Sequence, residues 1–301
     1  MREDKKLITQ EYVGRLKNSP YFIVVNYEGL KVDQFEELRN RLADCNSEMH
    51  VVKNAIFKIA AQETGVEDLG QALAGQLAAV TGEGEITGAR SARFTSGKDE
   101  ATGFQIVRDF RLAAKGTHLR IKQTVINISD KTRQVCYWCR TFVHGQGICV
   151  VPVTEHSRMP RKHVIYENGT TINFLPDDEK ISQRDGYVLV EGPPRMPKLG
   201  FDSKAGWMAY LMRNDLLFVK GWPTYPKRPY NEMAGLTLSI WYPDGPMCEL
   251  EPIGPQEILK PGGKASFTED WWVAEQKFPG NSKSVDLGQL EAKVKKLTGR
   301  K

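Results

Sequence analysis

The chain of 301 residues has no apolar run approaching the roughly 20 residues that a membrane span requires. Its opening residues, MREDKKLITQEYVGRLK, lack an apolar h-region, so they do not read as a secretory signal and a cytoplasmic protein is expected. Cysteine is scarce. The five thiols, Cys45, Cys136, Cys139, Cys149 and Cys248, are too few and odd in number for a disulfide framework. Cys136 and Cys139 have CxxC spacing, but no second CxxC or HxxxH completes a zinc site. Their surroundings, VCYWCRTF, read as a strand rather than the helix N-terminus a redox pair uses, so buried strand cysteines are expected. No metal or other cofactor is expected. Nor is there an internal repeat or a long low-complexity linker.

Other shortages are local. The first 90 residues hold one of the 16 prolines, Pro20, and none of the six tryptophans. They are also short of positive charge, with 11 basic against 14 acidic residues, net −3, while the remainder has 31 against 23, net +8. A bulk-charge argument for nucleic acid would therefore point away from the first part, and any nucleic-acid contact there must rest on local placement of its cations. A composition break near residue 90 argues for two domains of different fold class.

What is present in the first part alternates helical and extended patterns. Leu7, Ile8, Tyr12 and Leu16 recur at helical spacing, YFIVVN (21–26) reads as a buried strand, and QFEELRNRLADC (34–45) places Phe35, Leu38 and Leu42 on one face. HVV (50–52) is extended, NAIFKIAAQETG (54–65) is helical with Ile56, Ile59 and Ala60 inward and Gly65 as a stop, and GQLAAVTG (75–82) is a last strand. The order α-β-α-β-α-β implies an α/β layer around a small sheet. Asn54 is suited to cap the third helix. Lys53 opposes the dipole of that helix, so it either reaches into water or faces an anion.

In the second part, HLRIKQTVINIS (118–129), YWCRTF (137–142), GICVVPV (147–153) and five later segments read as short strands. Turns such as RDG, PDG and PGG separate them, as in a β-sandwich or barrel. In the tail, Asp286 caps a helix whose Leu287, Leu290, Val294 and Leu297 form one stripe, expected to lie on the sandwich.

The linked blocks NYEGLKVDQFEELRNRL and VVKNAIFKIA, continued through LAGQLAAVTGEGEITGA, resemble the N-terminal domain of ribosomal protein L-ten, the stalk-base family of the large subunit. The resemblance implies binding to large-subunit rRNA. Lys53 and Asn54 would then meet the RNA backbone with Lys58 one turn on, Tyr27, Gly29, Leu30 and Lys31 would form a neighbouring loop, and Arg2, Lys5 and Lys6 a basic start. Lysines would neutralise phosphates and Asn54 would position rather than specify. Large-subunit rRNA and ribosomal proteins are the implied partners. The family's later α/β segment and its long helix for the acidic stalk dimers have no counterpart in this chain, so those dimers are not expected.

TVINISDKT, PPRMPKLGFDSKAGWMAYLMRNDLLFVKGWPTYP and GLTLSIWYPDGPMCELEPIGP are similar to an uncharacterised bacterial group of mutarotase-like (aldose-epimerase-like) β-supersandwich domains. This suggests a carbohydrate as a second class of partner. Glu249 and Glu251, two apart and so on one face of a strand, are candidate base or sugar ligands and His144 a candidate acid. Trp207, Trp222 and Tyr225 are candidates to stack on a sugar, although such residues also serve as core. Strands equivalent to that group's opening third are absent, which argues against an intact epimerase reaction. No membrane partner is expected.

The expected fold is thus two-domain α+β: a small α/β ribosomal-protein domain (1–89), a mostly antiparallel β-sandwich of galactose-mutarotase-like type (90–285), and a C-terminal helix (286–301). Both resemblances break off near Ala89–Arg93, which reads as a fusion or a chimera.

Overall fold

The computed structural model describes residues 3–299 apart from 20, 44–45, 67–68, 70–72, 74, 83–89, 168–170 and 233. The chain folds as two compact units, Met1–Arg90 and Ser91–Lys301.

In the first unit the elements run α1 (Glu3–Asn18), β1 (Phe22–Asn26), α2 (Val32–Ala43), β2 (Ser47–Val51), α3 (Asn54–Glu63) and β3 (Leu77–Gly82). The sheet order is β1-β3-β2, and both outer strands pair antiparallel with β3. Central β3 is buried along its whole length because both faces are covered. Tyr12 and Leu16 of α1 and Ile56, Phe57, Ala60 and Ala61 of α3 meet Leu77 and Ala79 on one side. Phe35, Leu38 and Leu42 of α2 meet Ala78 and Val80 on the other.

Three expectations need correction here. Ile59 is 37% exposed and Phe57 takes the inward place, since at about 100° per residue Ile59 falls on the side of Ile56 opposite to Phe57, Ala60 and Ala61, which meet the core. Leu7 is likewise exposed, lying before the stretch of α1 that meets the core. The 21–26 segment is an edge strand with Ile23 48% exposed, not a buried one, because the apolar run is longer than the surface available to cover it.

The second unit begins with β4 (Ser91–Thr95), β5 (Phe104–Leu112), β6 (Leu119–Asn127), β7 (Arg133–Trp138) and β8 (Phe142–His144). Then come β9 (Ile148–Pro152), β10 (Val164–Glu167), β11 (Thr171–Asn173), β12 (Ile181–Arg184) and β13 (Tyr187–Glu191). The last strands are β14 (Lys198–Phe201), β15 (Trp207–Leu211), β16 (Leu216–Gly221), β17 (Leu238–Trp241), β18 (Met247–Leu259) and β19 (Lys264–Glu275), followed by α4 (Leu287–Thr298). The expected 137–142 strand is interrupted at 139–141, where the chain passes from β7 to β8, both of which pair with β18.

Nine strands form one antiparallel sheet, β12-β13-β9-β15-β16-β19-β6-β5-β4, and seven form the other, β11-β10-β14-β17-β18-β7 with β8 also on β18. Cys149, Val188, Met208 and Tyr210 of the first face Leu199, Ile240, Cys248 and Leu250 of the second across the main core. Alternation along each strand makes this a two-sheet sandwich. On the far face of the nine-stranded sheet, Leu287, Leu290 and Val294 of α4 cover Val150, Leu189, Leu217 and Trp272. Asp286 caps α4 by accepting from the Gln289 N–H at 2.9 Å, and Gly299 ends it in the left-handed region at φ 66°.

Candidate functional site

Because β1 and β2 both run antiparallel to β3, they are parallel to each other and end at the same edge, with Asn26 opposite Leu77 and Val51 opposite Ala78. The loop 27–31 and residues 52–53 leave from that edge, and α2 and α3 begin there. The Tyr27 N–H donates to Gln76 O at 3.1 Å and the Val52 N–H to Leu77 O at 3.0 Å, which ties both exits to the start of β3. Gly29 adopts φ +85°, a conformation glycine accepts at no steric cost, and a side chain there would meet nothing within 4 Å. Tyr27 lies edge-on to Phe35 at 5.2 Å and anchors the loop in the core, while Leu30 and Lys31 are exposed.

Asn54 does not cap α3. The N-cap is Lys53 (φ −85°, ψ 106°), with no side-chain hydrogen bond to the first turn. The Asn54 amide instead donates to Leu73 O and Gly75 O, each at 3.1 Å, where the chain leading into β3 passes beside it and its main-chain carbonyls need donors. The Lys53 N–H donates to the Tyr12 hydroxyl at 3.3 Å, and its side chain is exposed. Tyr12 therefore fixes α1 beside this junction. Lys5 and Lys6 precede Tyr12 by about two helical turns, on the side away from the Arg15–His50 contact, so they extend past the same edge. Lys5, Lys6, Lys31 and Lys53 form no ion pair among the described residues. Lys58 is half-buried one turn along α3 from Asn54. Glu28 and Asp33 share the edge, so its positive character is local. Arg2 lies outside the described residues.

A second cluster lies on the face of the seven-stranded sheet that points away from the core. Lys198, Trp241, Glu249 and Phe142 stand in one cross-strand row, with Glu251 two residues along β18. Arg140 approaches both carboxylates, at 3.9 Å from Glu249 and 3.7 Å from Glu251, and Lys198 pairs with Glu251. Burial, then a hydrogen bond and like charge from Glu251, push the Glu249 carboxyl up to about 7, against the pull of Arg140 and Lys198. The buried Glu251 Oε1 beside it has no hydrogen-bond partner among the described residues. Glu232, also pushed up by burial, accepts from the Tyr166 hydroxyl at 2.9 Å and feels the charges of Lys198 and Glu251. Trp138 (37% exposed), under the Lys198 ammonium at 4.8 Å, and Phe142 (59% exposed) flank the cluster.

Of the remaining sequence candidates, His144 ends β8 opposite Met247, with an exposed side chain that bonds to neither carboxylate among the described residues. Trp207 and Trp222 line a groove of about 480 Å³ beside α4, but Trp222 is only 2% exposed and presents little ring surface. Tyr225 lines a different, small cleft with Tyr137 and Arg228. The structure therefore brings Glu249 and Glu251 together and sets the three aromatic candidates apart from them. Arg140, Lys198, Trp138, Phe142 and Glu232 went unmarked in the sequence; only the tertiary structure, which brings strands and loops together, assembles them. Among the described residues no third His, Cys, Asp or Glu joins Cys136 and Cys139 in a group with metal-ligand geometry. Burial pushes the Cys139 thiol well up, which makes it an unreactive core side chain.

A third polar group is interior. Lys220 and Glu269 are both fully buried and 2.7 Å apart. Lys220 also donates to Thr141 Oγ1 at 2.7 Å and Leu250 O at 3.0 Å, while Glu269 accepts from Gln123 at 2.9 Å and the Trp271 indole at 3.2 Å. Every oxygen and the ammonium are matched, so this network ties the two sheets together.

Residues 1–94 match the family described as Ribosomal protein L10. The large ribosomal subunit protein uL10 of Natranaerobius thermophilus is 36% identical over 74 residues, 25% of this chain and 42% of that protein. That of Staphylococcus carnosus is 36% identical over 84 residues, 28% of this chain and 51% of that protein. The chain spans about half the length of the curated relatives it matches. Among solved structures it is similar to a putative aldose 1-epimerase from Escherichia coli K12, with TM-score 0.45, 10% identity, and 62% of this chain and 66% of that chain covered. It is also similar to a galactose mutarotase-like protein from Lactobacillus casei, with TM-score 0.43, 12% identity, and 62% and 70% covered. The chain is thus similar over its first 94 residues to the family of Ribosomal protein L10 and continues into a β-sandwich.

Proposed function

We propose that the protein binds large-subunit rRNA through the edge of its first unit where Lys31, Lys53 and Asn54 meet, with Lys5, Lys6 and Lys58 alongside, acting at cytoplasmic ribosomes. Ribosomal proteins beside that rRNA are its further partners. The observation that carries this reading is Lys53: an exposed cation at the uncapped N-terminus of α3, within the segment that matches the ribosomal family. A lysine there is unfavourable against the helix dipole on its own, and a phosphate beside it removes that conflict. Asn54, held by two carbonyls, fixes the turn that presents Lys53. The test is salt-dependent binding of the full chain to a stalk-base rRNA fragment. Lys53→Ala is expected to weaken binding and flatten the log K against log salt slope by roughly 0.7–0.9. Unchanged affinity and slope would sink the assignment.

On this proposal residues 1–89 are the rRNA-binding domain, 90–285 the sandwich and 286–301 a helical tail, joined as a fusion or chimera. A continuous DNA read across codons 85–95 in independent isolates tests the join: an uninterrupted frame supports fusion, and a break there means a chimeric assembly.

A second reading is favoured by one observation, the adjacent Glu249 and Glu251 carboxylates, with the Glu249 carboxyl pushed up, flanked by exposed Trp138 and Phe142. Acid groups beside aromatic faces suit a carbohydrate. Titration calorimetry with monosaccharides is expected to give saturable heat that Glu251→Ala removes; no heat with any sugar would reject it.

A further inference from the structure

The positive surplus of the sequence lies in the second part, which the edge at Lys53 does not explain. The structure gathers part of it on strands β4, β5 and β6. On the face of the nine-stranded sheet away from the core, Arg111 stands directly opposite Arg120, and Arg93, Asp109 and Lys122 form the adjacent cross-strand row. Arg93 pairs with Asp109 and Arg120 with Asp270 at 2.9 Å, which leaves Arg111 and Lys122 without an ion pair among the described residues. Two arginines facing each other across a ladder repel, and Asp109 and Asp270 on the same face offset only part of the positive charge of Arg93, Arg111, Arg120 and Lys122, so an anion placed there is attracted.

The same sheet face is divided in two. Over β9, β13, β15 and β16 it is apolar and covered by α4, but no residue of β4, β5 or β6 joins that core. There it is open, with side chains 72% exposed at Arg93 and 58% at Arg120, and β4 is the outermost strand.

We infer that this open face is a second RNA-binding surface, on which Arg111, Arg120 and Lys122 take the phosphates of an RNA backbone. Charge complementarity argues for a polyanion, and the choice of RNA rests on the rRNA-binding reading above. The contacts are to phosphate, so they add affinity and salt dependence without reading sequence.

The test uses the full chain, a fluorescently labelled stalk-base rRNA fragment and a potassium chloride series. The double substitution Arg111→Gln, Lys122→Gln is expected to flatten the log K against log salt slope by about 1.4–1.8 for two lost contacts, and to do so equally in a Lys53→Ala background. Phe94→Ala, on the opposite face of the same hairpin, is expected to leave the slope unchanged. Thermal unfolding of the double variant should match the parent, since both positions lie on the open face. An unchanged slope in the double variant overturns the inference even where Lys53→Ala alone weakens binding, which leaves the first-unit reading standing. Conversely, a flattened slope in the double variant with no effect of Lys53→Ala retains this surface and removes that reading. Equal flattening by Phe94→Ala overturns the inference as well, as does a double variant that loses binding to phosphatidylserine vesicles while its RNA binding stays intact.

Discussion

Glu269 and Glu251 are equally buried, each 1% exposed, yet the two regions around them treat a carboxylate in opposite ways. In the sandwich interior Glu269 meets a buried lysine, an amide and an indole, and Lys220 spends its remaining donors on Thr141 and Leu250. On the outer face of the seven-stranded sheet Glu251 meets Lys198, Arg140 and a second acid, Glu249, whose carboxyl is pushed up by burial and by Glu251. A completed network fixes geometry and has nothing left to offer a ligand. An acid whose carboxyl is pushed up toward neutral pH retains chemistry that can be used.

The sharpest way to break this contrast is to remove Lys220. Lys220→Met preserves volume but strands Glu269 in the core, and is expected to cost about 3–5 kcal/mol of stability by chemical denaturation. A cost under about 1 kcal/mol would mean that the interior pair is no more committed than the outer one.

Glu249 should respond in the opposite sense. Its folded carboxyl titrates near 7, above its unfolded value, so the folded state holds a proton that the unfolded chain has lost. The stability this gives is complete below about pH 4.5 and is lost as pH rises through 7. Glu249→Gln keeps the neutral form at every pH. It is expected to stabilise by on the order of 2 kcal/mol at about pH 8 and by little at about pH 4.5, read from unfolding midpoints at the two pH values. Equal effects at both would show that the folded Glu249 carboxyl is not raised.

The smallest effect extends the comparison to the first unit. Asn54→Ala loses two amide hydrogen bonds to main-chain carbonyls and is expected to cost about 1–2 kcal/mol. If it also weakens rRNA binding with an unchanged salt slope, Asn54 positions the turn and Lys53 carries the charge.

Much of the first unit could be read directly, because its order α-β-α-β-α-β follows from apolar spacing that local geometry imposes. The misreadings there were of contacts between elements. Asn54 has the chemistry of a cap, but the chain entering β3 offered its amide two carbonyls instead. Leu7 and Ile59 fit the helical period and lie beyond the partner's surface. In the second unit Glu249 and Glu251 were found because a period of two is local. Arg140, Lys198 and Trp138 were not, because no spacing rule links a loop, β14 and β7 to one point on β18.

By itself the sequence determined the break near residue 90, the periodicity of each element, the capped amphipathic tail, and the positive charge of the second part, since composition and spacing are properties of the chain alone. Only the tertiary structure decided that the Glu249 carboxyl is pushed up, which lysine is sealed inside and which stands in water, and that Arg111 faces Arg120. Those outcomes depend on strand register and burial, which set the distances and the dielectric that charges experience, and neither is written in any one segment.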